Sequence, residues 1–312
     1  MTDITTIGEV LIDLTQSGVT EQGIPRFDAN PGGAPANLAV AASRLGAKTA
    51  FIGRVGRDSF GDYLKRCLQE NGVDVSGVSV DERQRTTLAV VALDERGERT
   101  FSFYRDPSAD VDLSWEHVPL ELLFNTKILH FGSVSLTAEP ARTATRKAAE
   151  TARECGALVS YDPNYRASLW PDQQTAVARM MEPLSLVDIL KVSDEELPLL
   201  ADTADPAEGS LRLMAHGPRL VLVTLGADGA FYRFGESTGR VPGVPCTVGD
   251  TNGSGDTFFG AALSRLVKLH SLDELTIPEL ERILAFANKA ASITTSRHGA
   301  IPAMPTLAEV EG

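Results

Sequence analysis

Residues 248–263 read Val-Gly-Asp-Thr-Asn-Gly-Ser-Gly-Asp-Thr-Phe-Phe-Gly-Ala-Ala-Leu, a glycine-rich loop that leads into an apolar helical pattern. A strand-like stretch, residues 243–247, precedes the loop. The first N–H groups of a helix have no intrahelical partner and, together with the helix dipole, attract anions. A carboxylate at this place, Asp256, makes chemical sense if it deprotonates a nucleophile while the amides hold the group under attack. The loop therefore predicts phosphoryl transfer from a nucleotide to a small hydroxyl compound.

Two other interpretations of this loop carry less weight. An aspartate in the first turn of any helix stabilises it by roughly 0.3–1 kcal/mol through the dipole, so Asp256 could be structural only. Gly253 and Gly255 also begin the GxGxxG pattern of dinucleotide loops, but Phe258 occupies the place of the third glycine. The chain contains no GxxxxGK[ST] phosphate loop either.

The composition excludes several classes of partner. The 312 residues carry a formal net charge of −13, which disfavours nucleic acids and anionic membranes as partners. The three cysteines lie outside any CxxC pattern, which favours a reducing compartment over a disulfide framework. The N-terminus lacks the basic and apolar regions of a signal peptide, and no apolar run approaches the ~20 residues of a membrane span. We therefore expect a cytoplasmic protein.

The order of predicted elements indicates an α/β fold. Strand and helix patterns alternate along the chain, which predicts parallel βαβ units with ligands at the carboxyl ends of the strands. Among the predicted helices are 34–45, 59–71, 139–155, 173–181, 194–200, 256–267 and 278–296. Two β-rich runs, 86–93 and 99–104, flank a hairpin-like turn at 94–98 and interrupt this rhythm. We expect one domain, 1–312, with a small β-lid contributed by about 10–30 and 86–105.

A second motif lies near the N-terminus, where residues 30–37 read Asn-Pro-Gly-Gly-Ala-Pro-Ala-Asn and lead into the first predicted helix. Gly32 and Gly33 would let a ligand approach the backbone closely. Asn37 offers both donors and an acceptor, which suits sugar hydroxyls. A tight turn with a proline at the helix start explains the same residues without a ligand.

Taken together, the two motifs resemble those of the ribokinase/PfkB family of carbohydrate kinases, with the bacterial fructokinases the most similar branch. One departure is Asn-Gly-Ser at 252–254, where the family usually has Thr-Gly-Ala. The resemblance implies a ribokinase-like three-layer α/β/α domain with a mostly parallel central sheet. It also implies that Asp256 is the general base and that the amides of Gly253, Ser254, Gly255 and Asp256 form an anion hole.

The resemblance further implies ATP, Mg²⁺ and K⁺ as cofactors. It places the nucleotide at Lys191, Ser193, Thr224, Gly226, Gly229 and Asn288. Glu196 would hold Mg²⁺ through water, although Ser193 and Glu196 also have the spacing of a capping box. A monovalent cation would be bound, mostly by backbone carbonyls, at Asp250, Asn252, Thr294, Arg297, Gly299 and Ala303.

The sugar site implied by the resemblance consists of Asp13, Gly32, Gly33, Asn37, Phe103, Arg105 and Arg166. Each of the two arginines could instead form a surface ion pair. Phe103 stands where 2-keto-3-deoxygluconate kinases often have a tyrosine, and this favours a neutral ketose. We therefore expect ATP-dependent phosphorylation of D-fructose at O6 or O1, by a homodimer that pairs through the lid. A 2-keto-3-deoxygluconate kinase, a nucleoside kinase for adenosine or aminoimidazole riboside, and a non-catalytic sugar-binding protein remain alternatives.

Overall fold

The computed structural model describes residues 1–93, 99–269 and 271–312. Its strands are β1 (Thr2–Ile7), β2 (Leu11–Val19), β3 (Pro25–Gly32), β4 (Thr49–Gly56), β5 (Asp74–Asp81), β6 (Leu88–Leu93), β7 (Arg99–Tyr104), β8 (Thr126–Gly132), β9 (Leu158–Asp162), β10 (Ile189–Ser193), β11 (Leu220–Thr224), β12 (Ala230–Phe234) and β13 (Ser237–Val241). Its helices are α1 (Ala34–Arg44), α2 (Ser59–Glu70), α3 (Leu120–Phe124), α4 (Ala141–Glu154), α5 (Gln173–Met181), α6 (Leu197–Ala201), α7 (Pro206–Met214), α8 (Ser254–Leu266), α9 (Ile277–Thr295) and α10 (Leu307–Glu311).

Within the described residues, the larger sheet has nine strands in the order β13-β12-β11-β10-β9-β8-β1-β4-β5. Its neighbours pair in parallel except at β11-β12 and β12-β13. Side chains of one strand alternate between two cores: Leu190 and Val192 pack with α4 to α7, whereas Ile189 packs with α1, α8 and α9. Helices thus cover both faces, and the predicted three-layer α/β/α fold is confirmed.

The smaller sheet has the order β3-β2-β6-β7 within the described residues. β2 pairs with β6 in parallel, and the two outer pairs are antiparallel. These strands fall in the two regions from which we expect the lid. The predicted turn at 94–98 lies outside the described residues.

Two local predictions were wrong. No strand forms at 243–247 among the described residues. Pro242 and Pro245 lack the N–H that a strand donates, and the preceding strand pairs only as far as Val241. The helix predicted from residue 194 begins at Leu197 instead, because Ser193 and Glu196 form a turn first. Over the described residues, no helix is both long and apolar enough to span a membrane.

Candidate active site

Two cavities meet at the carboxyl ends of the central strands. One measures about 460 Å³ and lies between the small sheet and the start of α8. The other measures about 950 Å³ and lies along the ends of β10 and β11. The residues that line both cavities are Asn164, Arg166, Lys191, Glu195, Thr251 and Gly255. A group transferred from a ligand in the larger cavity to one in the smaller would therefore pass Gly255.

Asp256 lines the smaller cavity next to Gly255 and is only 8% exposed. Asn37 Nδ2 donates to its Oδ2 (2.8 Å), and Asn164 Nδ2 donates to its Oδ1 (3.2 Å). Burial raises the pKa of Asp256, while these bonds and the cations Lys191 and Arg166 oppose the rise. The carboxylate is therefore oriented from two sides and more basic than an exposed aspartate.

The start of α8 has the geometry of an anion site. Gly253 is the N-cap at φ 73°, a left-handed conformation that favours glycine. The first intrahelical bond runs from Thr257 N–H to the Gly253 carbonyl (2.9 Å), so the amides of Gly255 and Asp256 precede it. The Ser254 amide donates to the Thr251 carbonyl, at 3.3 Å. The part of the loop whose amides make no intrahelical hydrogen bond therefore faces the junction of the two cavities.

Polar groups from the small sheet and α1 line the smaller cavity. Asp13 lies in its wall, and burial raises the pKa of this carboxyl to about 6 although Asn252 hydrogen-bonds it. The backbone at Gly32 passes so close to this carboxylate that a Cβ there would lie 2.3 Å from Asp13 Oδ2. Gly33 has φ 104°, and a Cβ on it would lie 2.5 Å from the Glu9 carbonyl oxygen. The paired glycines thus let the end of β3 pack closely against the start of β2 in this wall.

The sequence predicts one aromatic residue, Phe103, and two arginines, Arg105 and Arg166, in the smaller cavity. Phe103 and the exposed Arg166 line it. Arg105 does not belong to the lining. Its guanidinium is buried and held by Asp110 Oδ2 (2.7 Å), Thr137 Oγ1 (2.6 Å) and the Val134 carbonyl (3.0 Å). The expectation that Arg105 reaches the cleft or forms a surface ion pair is corrected by this buried pairing with Asp110.

The residues expected to bind a nucleotide all line the larger cavity, namely Lys191, Ser193, Thr224, Gly226, Gly229 and Asn288. Asn288 Nδ2 donates to the carbonyls of Val241 (3.1 Å) and Pro242 (2.9 Å), and this holds the segment after β13 in the cavity wall. At Gly229, φ is 92° and a Cβ would lie 2.2 Å from the Val241 carbonyl oxygen. The turn after β11 therefore also requires glycine in order to pack against this segment.

A buried cation lies beside Gly255. Lys191 Nζ donates to Asp162 Oδ2 (2.9 Å), and a Cβ added to Gly255 would lie 3.2 Å from Nζ. Burial alone would lower the pKa of Lys191, but the carboxylates of Asp162 and Glu196 outweigh burial and raise it. Lys191 is therefore a positive charge at the junction of the cavities.

Glu196 makes the reciprocal bonds of the predicted capping box. Ser193 N–H donates to its Oε2 (2.8 Å), and Glu196 N–H donates back to Ser193 Oγ (3.2 Å). Tyr165 N–H donates to Oε1 (2.7 Å). Both carboxylate oxygens thus face backbone donors, and contact with a metal ion through water suits this carboxylate better than direct ligation.

The loop expected to bind a monovalent cation packs beside the start of α8. The Gly299 amide donates to Asp250 Oδ2 (3.2 Å), and the Asn252 amide donates to Oδ1 (2.9 Å). A Cβ on Gly253 would lie 2.8 Å from Ala300 Cβ. Arg297 turns away to Glu309 (2.6 Å) and donates to the Ala303 carbonyl (3.4 Å), and Thr294 Oγ1 is buried against Thr257. The two loops meet at Asp250 and Gly253.

The sequence analysis missed three residues of this site. Asp162 and Asn164 belong to the sequence Asp-Pro-Asn-Tyr-Arg at 162–166, in which only Arg166 is predicted as a site residue. Asn164 has φ 45°, an uncommon conformation that asparagine tolerates, and this turn aims its amide at Asp256. Glu9 lines the smaller cavity and accepts from the Ala34 amide (3.1 Å). The position of Glu9 directly after Gly8, between two predicted strands, is the sequence feature that indicates a site residue.

Comparison with known proteins agrees with this geometry. The model of the pfkB family of carbohydrate kinases matches residues 1–307. Fructokinase-1 of Zea mays is 45% identical over 313 residues, which cover 98% of this chain and 96% of the maize protein. A fructokinase from Xylella fastidiosa, crystallised with bound ATP, has a TM-score of 0.93 at 35% identity and covers 100% of this chain and 98% of its own. A fructokinase double mutant from Vibrio cholerae O395, with fructose, ADP and potassium ion bound, has a TM-score of 0.89 at 35% identity and covers 100% of this chain and 97% of its own. The chain belongs to the pfkB family of carbohydrate kinases.

Proposed function

We propose that this protein transfers the γ-phosphoryl group of ATP to a hydroxymethyl oxygen of D-fructose. The observation that carries the proposal is the position of Asp256, a buried carboxylate in the wall of the smaller cavity of about 460 Å³, next to Gly255, where the cavity of about 950 Å³ meets it. The fructokinase relatives in maize, Xylella and Vibrio support the choice of fructose. Phe103 in the smaller cavity adds an apolar wall without a hydroxyl, which suits a neutral ketose.

In the proposed reaction, Asp256 accepts the hydroxymethyl proton as the sugar oxygen attacks the γ-phosphorus. The bond from phosphorus to the bridging oxygen breaks, and ADP leaves with its electron pair. The amides of Gly255 and Asp256 and the ammonium group of Lys191 stabilise the negative charge on the transferring group. Asn37 and Asn164 hold the base in place through the hydrogen bonds described above.

Two metal ions belong to this proposal. Mg²⁺ would arrive with ATP and contact Glu196 through water, which suits an ion that keeps several of its waters. A monovalent cation, K⁺, would lie between residues 249–253 and the loop 294–303, held mostly by carbonyl oxygens. The close approach of Gly253 to Ala300 brings the two loops together at this place. When bound, the cation would add positive charge behind the amides at the start of α8.

We further infer a cytoplasmic homodimer that pairs through its small sheets. The outer strands β3 and β7 have unpaired edges among the described residues. Apolar side chains exposed on or near these strands are Val19, Ile24, Phe27 and Tyr104. Open edges and exposed apolar side chains favour association with a second chain. Light scattering after size-exclusion chromatography tests this, and a monomer at micromolar concentration would refute it.

A coupled assay of ADP release tests the activity. The panel is fructose, ribose, 2-keto-3-deoxygluconate, adenosine and aminoimidazole riboside, each with Mg·ATP and with or without K⁺. We expect the highest kcat/KM for fructose and a stimulation by K⁺ relative to Li⁺. A preference for the keto acid or a nucleoside would reject fructose as the substrate. Sugar binding without turnover of any compound would reject the kinase activity itself.

A further inference from the structure

A buried polar cluster lies where the small sheet joins the core. We call Glu9, Thr87, Arg105, Ser108 and Asp110 the lid-root cluster. Each is buried, with exposures of 3%, 1%, 8%, 1% and 4%. Glu9 lies two residues before β2, Thr87 one before β6 and Arg105 one after β7. The fourth strand, β3, leads through Gly33 to Ala34, whose amide donates to Glu9 Oε1. The cluster therefore touches the root of every strand of the small sheet.

Asp110 is the centre of the cluster. Its Oδ2 accepts from Arg105 Nε (2.7 Å), and its Oδ1 accepts from the hydroxyls of Thr87 and Ser108. The Ser108 hydroxyl also lies 2.9 Å from the Arg105 carbonyl oxygen. These bonds connect the residue before β6 with the residue after β7. Charged groups this deeply buried are rare unless paired, and Asp110 and Arg105 pair with each other.

The terminal nitrogens of Arg105 reach the segment that follows β8 of the larger sheet. Its two terminal nitrogens donate to the Thr137 hydroxyl (2.6 Å) and to the Val134 carbonyl (3.0 Å). Val134 lines the smaller cavity, and so does Phe103, two residues before Arg105 on β7. One guanidinium group therefore connects two parts of the cavity wall, one from the small sheet and one from the core.

We propose that Arg105 and Asp110 are positioning residues that fix the small sheet, and with it Phe103, over the smaller cavity. The inference rests on the proposed function, because it assigns the sugar to that cavity. A buried ion pair is a poor device for stability alone, since apolar residues of similar volume stabilise as well or better. The paired charges instead allow one arrangement of sheet and core, in which each of the three guanidinium nitrogens of Arg105 has a hydrogen-bond partner. A displaced Phe103 would weaken sugar binding and leave the ATP cavity unchanged.

Four variants test this proposal. Arg105→Met removes the positive charge, and Asp110→Asn removes the negative charge of its partner. Arg105→Lys keeps the positive charge but only some of the hydrogen-bond donors of the guanidinium group. The double variant Arg105→Met/Asp110→Leu removes both charges, so no unpaired charge destabilises the fold. Arg233→Met is the matched control: Arg233 is also 8% exposed and hydrogen-bonded, to Ser210 Oγ (3.0 Å) and the Ala207 carbonyl (2.9 Å), but lines neither cavity.

Two readouts separate positioning from stability. The first is steady-state kinetics, in which we expect kcat/KM for fructose to fall by roughly 10- to 100-fold in Arg105→Met and in the double variant, the range for a displaced binding group. The KM for ATP should stay within about twofold of the wild type, because the substituted residues do not line the larger cavity, to which ATP is assigned. Arg105→Lys should recover part of the loss. The second readout is amide hydrogen exchange of residues 11–32 and 88–93 without ligands, which should accelerate in these variants and not in Arg233→Met.

The outcomes are distinguishable. Faster exchange in the small sheet together with a selective loss of fructose kinetics supports the proposal. A lowered melting temperature with wild-type kinetics and exchange, as expected of Arg233→Met, would overturn it, and so would a fully active double variant. If the wild type does not phosphorylate fructose but the small sheet still exchanges faster in Arg105→Met, the proposed function fails while the positioning role stands.

Discussion

Replacing Asp256 by asparagine isolates the chemistry of the base from its position. The variant keeps the size of the side chain and removes its charge and its proton affinity. Asn37 and Asn164 each donate to a different oxygen of the carboxylate, at 2.8 and 3.2 Å. An asparagine has one oxygen and meets the second donor with its own NH₂ group. We therefore expect the shorter bond to Asn37 to remain and the longer bond to Asn164 to be lost.

The magnitude follows from the role of the proton. General-base catalysis typically contributes about 10²–10⁴-fold, which corresponds to about 2.7–5.4 kcal/mol of activation free energy at 1.36 kcal/mol per decade. The loss should fall on kcat, because the proton moves only in the transition state. One hydrogen bond lost from a neighbouring group is worth about 0.5–1.5 kcal/mol, so fructose affinity should change by at most about tenfold.

The melting temperature of Asp256→Asn provides a second, independent test. Burial raises the pKa of Asp256 in the folded state. The stability associated with such a group is present below the unfolded pKa and is lost as pH rises through the folded value. The ionised carboxylate therefore destabilises the fold, and the uncharged Asp256→Asn should melt at the same temperature as the wild type or higher. A catalytic residue that lowers stability is expected of functional sites.

The assay combines initial rates of ADP release, calorimetric titration with fructose, and thermal unfolding at pH 7.5. Asp172→Asn is the control, because Asp172 is an exposed helix cap and asparagine caps about as well as aspartate. More than about a tenth of the wild-type kcat in Asp256→Asn would refute the assignment of Asp256 as general base, since even the low end of base catalysis is 10²-fold. A large loss of fructose affinity at unchanged kcat would refute it as well.

Three further predictions follow from the same geometry. Lys191→Met should lower kcat by about 10²–10³-fold, the cost of removing one group that stabilises transition-state charge, with fructose KM little changed in the same rate assay. Gly253→Ala places a Cβ 2.8 Å from Ala300 Cβ at φ 73°, so melting temperature and kcat should both fall; adding Ala300→Gly should recover part of the melting temperature, and full activity of the single variant would contradict the packing. In a pH profile of kcat/KM, the acid limb should lie above the ordinary aspartate pKa of about 3.9, because burial raises the pKa of Asp256; a flat profile down to pH 4 would contradict this.

The sequence reveals the layers of this fold because the strands of a parallel sheet are buried on both faces. The run at residues 220–223 is continuously apolar, and the structure places alternate residues in the two cores. The segment 243–247 misled the same reasoning, because Val244 and Thr247 are residues typical of strands. Pro242, just before the segment, and Pro245 within it prevent pairing, and the segment instead forms a wall of the larger cavity.

The centre of the site was accessible from the sequence because two glycine-rich stretches, 30–37 and 248–256, each lead into a helix and carry a polar side chain there, Asn37 and Asp256. Asp256 and Asn37, 219 positions apart, are hydrogen-bonded in the structure. Arg105 was misplaced for a physical reason: its partner Asp110 is five residues away in an irregular segment, and no periodicity reveals that pairing. Asn164 was missed because its role depends on a left-handed backbone conformation, which the sequence does not indicate.

The charges around Asp256 also explain how one carboxylate can serve as a base at neutral pH. A base must bind a proton tightly enough to remove it from an alcohol, and it must be ionised before the sugar arrives. Burial supplies the first property by raising the pKa of Asp256, and Lys191 and Arg166 supply the second by opposing that rise. Asp162 holds Lys191 beside Gly255, so the same cation that opposes the rise in the pKa of Asp256 also faces the transferring phosphoryl group. Base strength and phosphoryl stabilisation thus depend on one buried ion pair, and a change at Lys191 affects both.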